Sequence, residues 1–432
     1  MKKINIGIIG CGTVGSTVIS ILDKHSAVIK KRVGCDIHIK SVCDKDLSRI
    51  REAGLPEKAV AADYSAIVDD PEIDIVVELI GGTGLAKKIV FDAIRKKKHV
   101  VTANKALISE NWDELFSAAH ANRVLVYFEA SVGAGIPVIQ ALNEGLAANK
   151  IQSIMGILNG TTNFILTKMT DEDMSFEAAL KNAQKLGFAE ANPALDLDGS
   201  DAAQKLSILA SIAFGGHIPV EKIYKEGISG INPLDVRYAR EKFGCVLKLL
   251  AIVKDEDKNL FATVYPAFVS MEHPISTVEN EYNAIYVNGD SVGEVMFYGK
   301  GAGGGSAASA VVSDIIDLAR NIFYGTAGKF PYILYDKRVR PRVQKIEKLE
   351  SKYYLRFSTL DRPGVLSKIS GILGKRHVSI SACFQEERMK RQAVPILMMT
   401  HMAREGALKK AVQEIDELDI VKSRTVVLRI VE

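Results

Sequence analysis

The sequence predicts an α/β domain with a doubly wound parallel sheet, followed by an α+β domain and a compact βαββαβ domain. Short apolar runs alternate with helical segments through the first third of the chain, which is typical of a parallel sheet covered by helices. From about residue 151 the strands become longer and turns separate them. The segment 350–432 has the order strand, helix, strand, strand, helix, strand.

The first domain is predicted over residues 1–135. Its strands are the apolar runs "INIGIIG", "CDIHIKSVCD", "IDIVVELI" and "HVVTA", and the last two are short and continuous, as buried parallel strands are. Helical spacing is found in "TVGSTVISILDKHSAVIKKR", "AKKIVFDAIRKKK" and "WDELFSAAHANR". A long apolar helix at about 306–325 is expected to return to this domain.

Residues 136–305 are predicted to form the second domain. Its strands are "IQSIMGIL", "LFATVYPAFVS" and "NAIYVNGD", and its helices are "SFEAALKNAQKLGF" and "DAAQKLSILASIAF". The charged segment 326–349 lacks a core pattern and is interpreted as a linker. Because residues 350–432 have apolar helix and strand faces of their own, we expect them to fold separately.

The composition excludes several classes of protein. A length of 432 residues fits about three domains of roughly 150 residues each. The net charge of +4 gives no electrostatic reason to expect a nucleic acid or membrane partner. The five cysteines have no CxxC spacing, which argues against disulfides and zinc and favours the cytoplasm. No apolar run reaches the roughly 18 residues of a membrane span, and the glycines that interrupt "INIGIIG" argue against a secretory signal.

A glycine motif connects the first strand to the first helix. "GIIGCGTVG" contains G-x-G-x-x-G at Gly10, Gly12 and Gly15. The first glycine permits a tight turn, the second allows a pyrophosphate to approach the backbone, and the third allows close packing of helix and strand. Thr13 and Val14 open the helix, whose N–H groups and dipole suit a phosphate. This context predicts a Rossmann-type site for NAD or NADP.

The choice between these two cofactors stays open. Asp44 and Asp46 follow the second strand, where an acidic residue binds the ribose 2′-hydroxyl of NAD. Lys45 and Arg49 lie close by in the sequence and could meet the 2′-phosphate of NADP instead.

In two further sequence blocks, polar residues lie at the end of a predicted strand or at the start of a predicted helix. Lys105, in "VVTANKAL", follows a strand of the parallel sheet, at the edge where such folds bind ligands. "ILNGTTNFI" predicts a strand, a turn at Gly160 and a helix capped by Thr161 or Thr162. The N-terminus of that helix suits a substrate carboxylate.

An acidic segment follows in the middle of the chain. Asp201 and Lys205 have i, i+4 spacing and so share one face of a helix. The same helix continues as an apolar element, which indicates that this pair faces an interior cleft. Asp196 and Asp198 alternate in a segment predicted to be extended, and one of them could join Glu190 in binding a substrate ammonium group.

Several blocks of this sequence resemble those of a known protein family. "AQKLGFAEANPALDLDGSDAAQK" resembles the signature of the homoserine dehydrogenases, which has fixed spacing over more than twenty residues. "VVTANKAL", "FEASVGAGIPVI" and "GILNGTTNFIL" match further blocks of that family in the right order, so the resemblance covers residues 1 to about 330. It implies reduction of L-aspartate 4-semialdehyde to L-homoserine with NADH or NADPH, on the route to threonine, methionine and isoleucine.

The resemblance also implies roles for individual residues. Lys205 would donate a proton to the carbonyl oxygen, and Lys105 would be a second catalytic lysine near the nicotinamide. The substrate-binding residues would be Glu190, Asp201, Asp196, Thr161 and Gly160. The cofactor-binding residues would be Gly10, Gly12, Thr13, Val14, Gly15, Lys105, Gly187 and Gly303.

Two blocks differ from the family pattern at single positions. Relatives often bind a sodium ion through main-chain oxygens of "FEASVGAGI", which here implies Glu129, Val132, Ala134 and Ile136. Ala134 stands where many relatives have glycine, a change that a carbonyl ligand tolerates. Lys300 stands where the glycine-rich block that contains Gly303 has proline in the family.

The tail resembles an ACT domain, which has a ferredoxin-like βαββαβ fold. Asp361, Arg362, Pro363 and Gly364 match its first turn, and the helix that follows offers N–H groups to an amino acid carboxylate. ACT domains typically pair side by side and bind small amino acids. The resemblance therefore implies a homodimer or homotetramer with an effector such as L-threonine, and the alternative is a dimerisation module without a ligand.

Two other functions fit parts of the sequence. An aspartate-semialdehyde dehydrogenase would need a cysteine nucleophile, whereas Cys11 lies in the phosphate loop and no other cysteine lies in a comparable block. An amino acid sensor with an inactive dehydrogenase fold would not need the set Lys105, Glu190, Asp201 and Lys205.

Overall fold

A computed structural model describes residues 3–256, 259–333, 336, 338–385 and 393–431. Contacts divide the chain into two compact units. The first unit comprises Met1–Gly160, Asp201–Lys222 and Glu281–Pro341, and the second comprises Thr161–Ser200, Ile223–Asn280 and Arg342–Glu432. Each unit combines segments that are far apart in the sequence, which is a different division from the predicted consecutive domains.

The secondary structure is as follows. The strands are β1 (Lys3–Ile9), β2 (Asp36–Cys43), β3 (Ile75–Glu78), β4 (His99–Thr102), β5 (Val126–Tyr127), β6 (Ile151–Ile157), β7 (Tyr224–Lys225), β8 (Cys245–Glu256), β9 (Asn259–Ser270), β10 (Tyr282–Gly289), β11 (Gly293–Lys300), β12 (Glu350–Thr359), β13 (Ile380–Gln385), β14 (Val394–Thr400), β15 (Ala403–Arg404) and β16 (Val421–Val431). The helices are α1 (Thr13–Lys24), α2 (Ser26–Val33), α3 (Leu47–Glu52), α4 (Ser65–Val68), α5 (Leu85–Arg95), α6 (Lys105–Asn122), α7 (Val138–Gln140), α8 (Gly160–Asp171), α9 (Phe176–Lys185), α10 (Ala194–Leu197), α11 (Ser200–Ala213), α12 (Pro233–Phe243), α13 (Gly304–Phe323), α14 (Val365–Lys375) and α15 (Glu405–Asp416).

A parallel sheet in the order β2-β1-β3-β4-β5 forms the centre of the first unit. All of its neighbouring strands run parallel, and every residue of β3 is buried. The predicted doubly wound α/β fold is therefore confirmed. Because the strand order reverses at β1, ligands are expected in the crevice outside the carboxyl ends of β1 and β3.

The helices on this sheet differ from the prediction at one point. The sequence predicts one continuous helix after the glycine turn, whereas α1 and α2 are separate and His25 between them has φ −106° and ψ 12°. The break allows buried residues of both helices, Val18 of α1 and Ile29 of α2, to join one core. Helix α13 joins the same core through Val311 and Ile315.

The first unit also contains the antiparallel strands β6, β10 and β11, which are neighbours within a longer sheet. Ala284 of β10 pairs with Ile157 of β6 and with Tyr298 of β11. The sequence predicts β6 and β10 but not β11, in which half-buried and exposed residues alternate along the strand. The Leu158–Gly160 turn follows β6, and the Gly301–Gly305 segment follows β11.

The second unit contains the tail domain with strands from the middle of the chain. The tail has the predicted βαββαβ order, with the strands of its sheet in the order β16-β12-β14-β13. The predicted strand "VSISACFQEER" is described as far as Gln385 and otherwise lies outside the described residues. Strand β16 also pairs in parallel with β9, with Arg429 opposite Ala267. The sequence does not predict β8 or α12, which belong to this unit.

Ion pairs of two largely buried arginines join the tail to the rest of the second unit. Arg356 of β12 contacts both carboxylate oxygens of Asp235, at 2.6 and 3.0 Å. Arg429 of β16 pairs with Glu226 at 2.8 Å and with Glu405 at 2.6 Å. The tail therefore shares a sheet and a polar core with residues 223–280, whereas the sequence suggests a domain that folds separately.

The segment 326–349 contributes buried residues at several points, although many of its described residues are exposed. Ile333, Ile346 and Leu349 are all buried, although the charge pattern suggests a linker. Residues 334, 335 and 337 of this segment lie outside the described residues.

None of the helices in the described part of the chain is long and apolar enough to span a lipid bilayer. None of the cysteines forms a disulfide in this part of the chain.

Candidate active site

The glycine motif forms a tight turn between β1 and α1. Gly10 has a φ of +103°, and a Cβ atom there would lie 2.8 Å from main-chain atoms of Leu79. A Cβ atom on Gly15 would lie 2.1 Å from the carbonyl oxygen of Gly10, so only glycine allows this packing. Helix α1 begins at Thr13, after Gly12, without an acidic residue in its first turn. The turn therefore fits a dinucleotide pyrophosphate.

The residues after β2 support the glycine turn. The Asp44 carboxylate accepts hydrogen bonds from the main-chain N–H groups of Cys11, at 2.6 Å, and Asp46, at 2.8 Å. Asp46 caps α3 and lies 3.4 Å from the Nε atom of Arg49. A Cβ atom on Gly12 would lie 3.8 Å from Nη1 of Arg49. The Arg49 guanidinium group therefore lies beside the turn that is expected to hold the cofactor phosphates.

Lys105 is the first residue of α6, directly after β4. Asn104 caps this helix by accepting a hydrogen bond from the N–H group of Leu107 at 3.1 Å, and its amide donates to the carbonyl oxygen of Gly82 at 2.7 Å. Because β1, β3 and β4 are parallel, Lys105 lies at the same edge of the sheet as the glycine turn.

One carboxylate connects the two lysines. Asp201 Oδ2 lies 2.8 Å from the Lys205 ammonium nitrogen, one turn further along α11. The other oxygen, Oδ1, lies 3.2 Å from the Lys105 ammonium nitrogen. The Asn159 amide donates to Asp201 Oδ2 at 2.9 Å, and Lys205 also donates to the Leu158 carbonyl oxygen at 2.7 Å. The structure thus brings Lys105, Asp201 and Lys205 together around the turn after β6.

The site is largely shielded from solvent. The exposed fractions of the side chains are 10% for Asp201, 12% for Lys205 and 38% for Lys105. Burial by itself raises the pKa of the Asp201 carboxyl group. The two ammonium groups and the hydrogen bonds from Lys205 and Asn159 outweigh burial and lower this pKa to about 2. Asp201 is therefore an anion at neutral pH, and the three charged groups sum to one positive charge.

The turn after β6 leads directly into α8. The helix begins at Gly160, so Thr161 and Thr162 lie within its first turn and the prediction that one of them caps the helix is wrong. The Thr161 hydroxyl group instead donates to the carbonyl oxygen of Phe188 at 2.6 Å. Gly160 is needed here because a Cβ atom would lie 2.7 Å from the carbonyl oxygen of Glu281.

The acidic segment before α11 is helical in part. Asp196 lies in the short helix α10, which follows Pro193, so the prediction of an extended segment is wrong. Proline is well tolerated at a helix start, since its missing N–H group has no helical partner there. Asp198 accepts from the main-chain N–H group of Ser200 at 2.8 Å and pairs with Lys225 at 3.0 Å.

The remaining predicted residues of this segment also belong to the second unit. Glu190 is exposed, and its carbonyl oxygen accepts a hydrogen bond from the Gln184 side chain at 3.2 Å. Gly187 has a φ of +78°, which suits glycine at the end of α9.

The glycine-rich block lies between β11 and α13. Gly303 has a φ of +118° and directly precedes α13. A Cβ atom on Gly304 would lie 2.6 Å from Cγ2 of Thr13, so this block packs against the first residue of α1. Lys300 faces Glu281 at 3.7 Å.

The block predicted to bind sodium follows β5. Ala134 has a φ of +47°, a region that favours glycine. The Glu129 carboxylate is buried and accepts from the N–H groups of Ile139 and Gln140, both at 2.8 Å. Burial raises the pKa of Glu129 to about 6, against the lowering effect of these bonds. Among described side chains, no group of three or more His, Cys, Asp or Glu residues could hold a metal.

Asn159 is not among the residues that the sequence motifs predict for the site. Its amide completes the hydrogen bonding of Asp201, and its position before a glycine in "ILNGTTNFI" was the available signal. The buried Asp314, which accepts from the main-chain N–H group of Glu129 at 2.9 Å, was also not predicted. It lies in α13, which also carries Asp317 and Arg320, so the sequence does not distinguish it from an ordinary helix carboxylate.

The predicted effector turn opens the first helix of the tail. Gly364 has a φ of +87° and directly precedes α14. Arg362 and Pro363 are exposed, and Asp361 is half-buried.

The nucleotide-binding sheet, the lysine pair at its edge and the tail fold define an NAD(P)-dependent oxidoreductase with a carboxyl-terminal ACT domain. Family models agree. The homoserine dehydrogenase NAD-binding domain matches residues 10–129, homoserine dehydrogenase matches residues 137–316, and the ACT domain matches residues 353–419. The chain belongs to the homoserine dehydrogenase family.

Curated relatives match over nearly the whole chain. The homoserine dehydrogenase of Neisseria gonorrhoeae is 40% identical over 431 residues, 99% of each chain. That of Bacillus subtilis is 40% identical over 427 residues, which is 98% of this chain and 97% of the relative.

Solved structures show the same relationship. A homoserine dehydrogenase from Thiobacillus denitrificans has a TM-score of 0.94 at 40% identity and covers 100% of this chain and 99% of its own. A hyperthermophilic archaeal homoserine dehydrogenase in complex with NADPH has a TM-score of 0.62 at 29% identity, covering 73% of this chain and 97% of its own.

Proposed function

We propose that the Lys105–Asp201–Lys205 cluster is where this chain reduces L-aspartate 4-semialdehyde to L-homoserine. The observation that carries the proposal is the position of Asp201, whose two oxygens each hold one ammonium group. Reduction of an aldehyde needs a hydride at the carbon and a proton at the oxygen. The nicotinamide cofactor supplies the hydride when it is bound, and the cluster supplies the acid.

Lys205 is the proton donor in this proposal. Two of its N–H groups point at acceptors among the described residues, Leu158 O and Asp201 Oδ2, which fixes the direction of the third. That third group donates a hydrogen bond to the substrate carbonyl oxygen and transfers the proton as the alkoxide forms. The resulting neutral amine regains a proton from solvent. Lys105 donates to the same oxygen and stabilises its developing charge.

The amino acid end of the substrate is assigned to the family residues. Glu190 and either Asp196 or Asp198 bind the ammonium group, because carboxylates are its natural partners. Thr161 and Gly160 open the 12-residue helix α8, whose N-terminus suits the carboxylate.

The cofactor is assigned to the glycine turn after β1, to Gly187 and Gly303, and to Lys105. Gly10, Gly12, Thr13, Val14 and Gly15 hold the pyrophosphate, and Lys105, Gly187 and Gly303 contact the rest of the molecule. Binding of NADPH by the archaeal relative supports NADP as one cofactor of this chain. Asp44 and Arg49 are compatible with both NAD and NADP, because a carboxylate and a guanidinium group both lie beside the glycine turn.

A sodium ion is proposed at the main-chain oxygens of Glu129, Val132, Ala134 and Ile136. The fit rests on the positive φ of Ala134, which turns the peptide groups of this loop, and on the oxygen ligands that a hard cation prefers. The carbonyl oxygens of Glu129 and Ile136 already accept N–H groups, at 3.4 and 2.8 Å, and each retains a second lone pair.

Regulation and assembly are assigned to the tail. The turn Asp361, Arg362, Pro363 and Gly364 is proposed to bind an amino acid effector, with L-threonine, a downstream product, as the first candidate. Side-by-side pairing of ACT domains gives a homodimer or homotetramer, which sedimentation measures directly. The absence of disulfides in the described part of the chain is compatible with the cytoplasm, our proposed location.

Oxidation of NADPH and NADH with aspartate 4-semialdehyde tests the assignment. We expect Lys205→Ala to lower kcat by about 100-fold to 10,000-fold, the range for a general acid, and to leave cofactor affinity nearly unchanged. Lys105→Ala should also lower kcat. The control is Lys168→Ala, which removes a lysine with the same i, i+4 pairing from the surface of α8. Wild-type kcat in Lys205→Ala would exclude this residue as the acid.

A further inference from the structure

The side-chain amide of Asn283 is buried and has no hydrogen-bond partner in the part of the chain that the structure describes. Asn283 lies on β10 and its exposed fraction is 0%. Neither its side-chain nitrogen nor its side-chain oxygen has a hydrogen-bond partner among the described residues. Buried amides are nearly always hydrogen-bonded, so a group that approaches Asn283 is needed to satisfy it.

The strand that carries this amide runs next to the segment that contacts Lys205. Strand β10 pairs antiparallel with β6, and Ala284 is opposite Ile157. The same register places Asn283 beside Leu158, whose carbonyl oxygen accepts from Lys205. The contact between Gly160 and the carbonyl oxygen of Glu281 continues this register by two further pairs.

On its other side the amide is covered by the glycine-rich block. A Cβ atom on Gly301 would lie 2.0 Å from both Cγ and Nδ2 of Asn283, so the backbone of Gly301 lies directly against the amide. Three residues later, Gly304 packs against Thr13, the first residue of α1. The segment Gly301–Gly304 therefore connects the buried amide to the dinucleotide turn.

We propose that Asn283 is a positioning residue of the cofactor site. Its amide offers one acceptor and two donors, and a peptide group has the complementary N–H and C=O. The amide pairs with a peptide group of Gly301–Gly304 when this segment closes over the nicotinamide end of the bound cofactor. The missing side chain at Gly301 lets the backbone move across the amide without obstruction. This inference rests on the proposed cofactor site.

Fluorescence titration with NADPH and thermal unfolding, each with the full-length protein, test the proposal. We expect Asn283→Ala to raise the Kd for NADPH about ten-fold, the factor that a hydrogen-bonded pair contributes. The Tm without cofactor should stay the same or rise, because no protein hydrogen bond is lost. The increase in Tm that NADPH causes should become smaller. The control is Asn288→Ala, at the far end of the same strand, which should bind NADPH like the wild type.

A second variant separates positioning from simple packing. Gly301→Ala places a methyl group on the amide and should also weaken NADPH binding. If both changes break one contact, the double variant should bind no more weakly than the weaker single variant. Additive losses would overturn the proposal, and so would an unchanged Kd in Asn283→Ala. A wild-type protein that binds neither NADPH nor NADH would instead overturn the proposed function.

Discussion

Replacing Asp201 with asparagine removes the only negative charge between Lys105 and Lys205 in the described cluster while preserving the shape of the side chain. The cluster lowers the pKa of Asp201 from 3.8 to about 2, which corresponds to about 2–3 kcal/mol of stability at neutral pH. Breaking a buried ion pair costs about 3–5 kcal/mol. Lys105 is 38% exposed, so solvent screens its share. We therefore expect the free energy of unfolding to fall by about 3 kcal/mol.

The same change should lower kcat by about 100-fold. Without the carboxylate, the Lys205 ammonium group loses the anion that directs it and is repelled by Lys105, so proton transfer becomes less efficient. Urea unfolding measures the stability term and NADPH oxidation measures kcat.

The pH dependence has a definite sign. The folded-state pKa of Asp201 lies below its unfolded value, so its contribution is complete above about pH 4. It is lost as the pH falls towards 2. The difference in unfolding free energy between the wild type and Asp201→Asn should therefore be constant near neutrality and shrink in acid.

Glu172→Gln is the matched control for Asp201→Asn. Lys168 and Glu172 have the same i, i+4 spacing at 2.6 Å but are 22% and 45% exposed, so the loss should stay below about 1 kcal/mol. The reasoning is refuted if Asp201→Asn behaves like this control in both stability and kcat.

Three further outcomes are expected. Arg49→Ala should raise KM for NADPH about ten-fold and leave KM for NADH nearly unchanged, because one charge-assisted hydrogen bond to the 2′-phosphate of NADPH is lost. Equal changes in KM for both cofactors would show that Arg49 does not bind the 2′-phosphate. Arg356→Met should lower the free energy of unfolding by about 3–5 kcal/mol because Asp235, 1% exposed, loses its cationic partner and keeps only the Tyr354 hydroxyl group among the side chains that contact it here. Removal of the exposed Arg376 should cost below about 1 kcal/mol. L-Threonine should inhibit the full-length enzyme, and Asp361→Ala should raise the half-inhibitory concentration of L-threonine about ten-fold. Identical inhibition of the wild type and Asp361→Ala would show that the effector does not bind at this turn.

Local patterns in the sequence predicted the parts of the molecule that depend on near neighbours. The parallel sheet was evident because β3 and β4 are short continuous apolar runs. The glycine turn was evident because Gly10 and Gly15 meet a steric requirement within six residues. The pairing of Asp201 with Lys205 was evident because the helical period alone brings positions i and i+4 together.

Local patterns were less reliable where packing decides the backbone. The segment with Asp196 reads as extended, yet Pro193 starts a turn of helix there. The apolar spacing after Gly12 predicts one helix, yet a break at His25 lets α1 and α2 bury residues in one core.

Only the tertiary structure decided which distant residues meet. Lys105 and Asp201 belong to different blocks of the sequence, and the topology of the first unit brings them within 3.2 Å. The sequence predicts β16 as the last strand of the tail, but its pairing with β9 and the ion pair of the buried Arg429 with Glu226 join the tail to the middle of the chain. A sequence specifies its own helical and strand periods locally. Strand neighbours and buried charge partners depend instead on which surfaces are removed from water together, and that is a property of the whole fold.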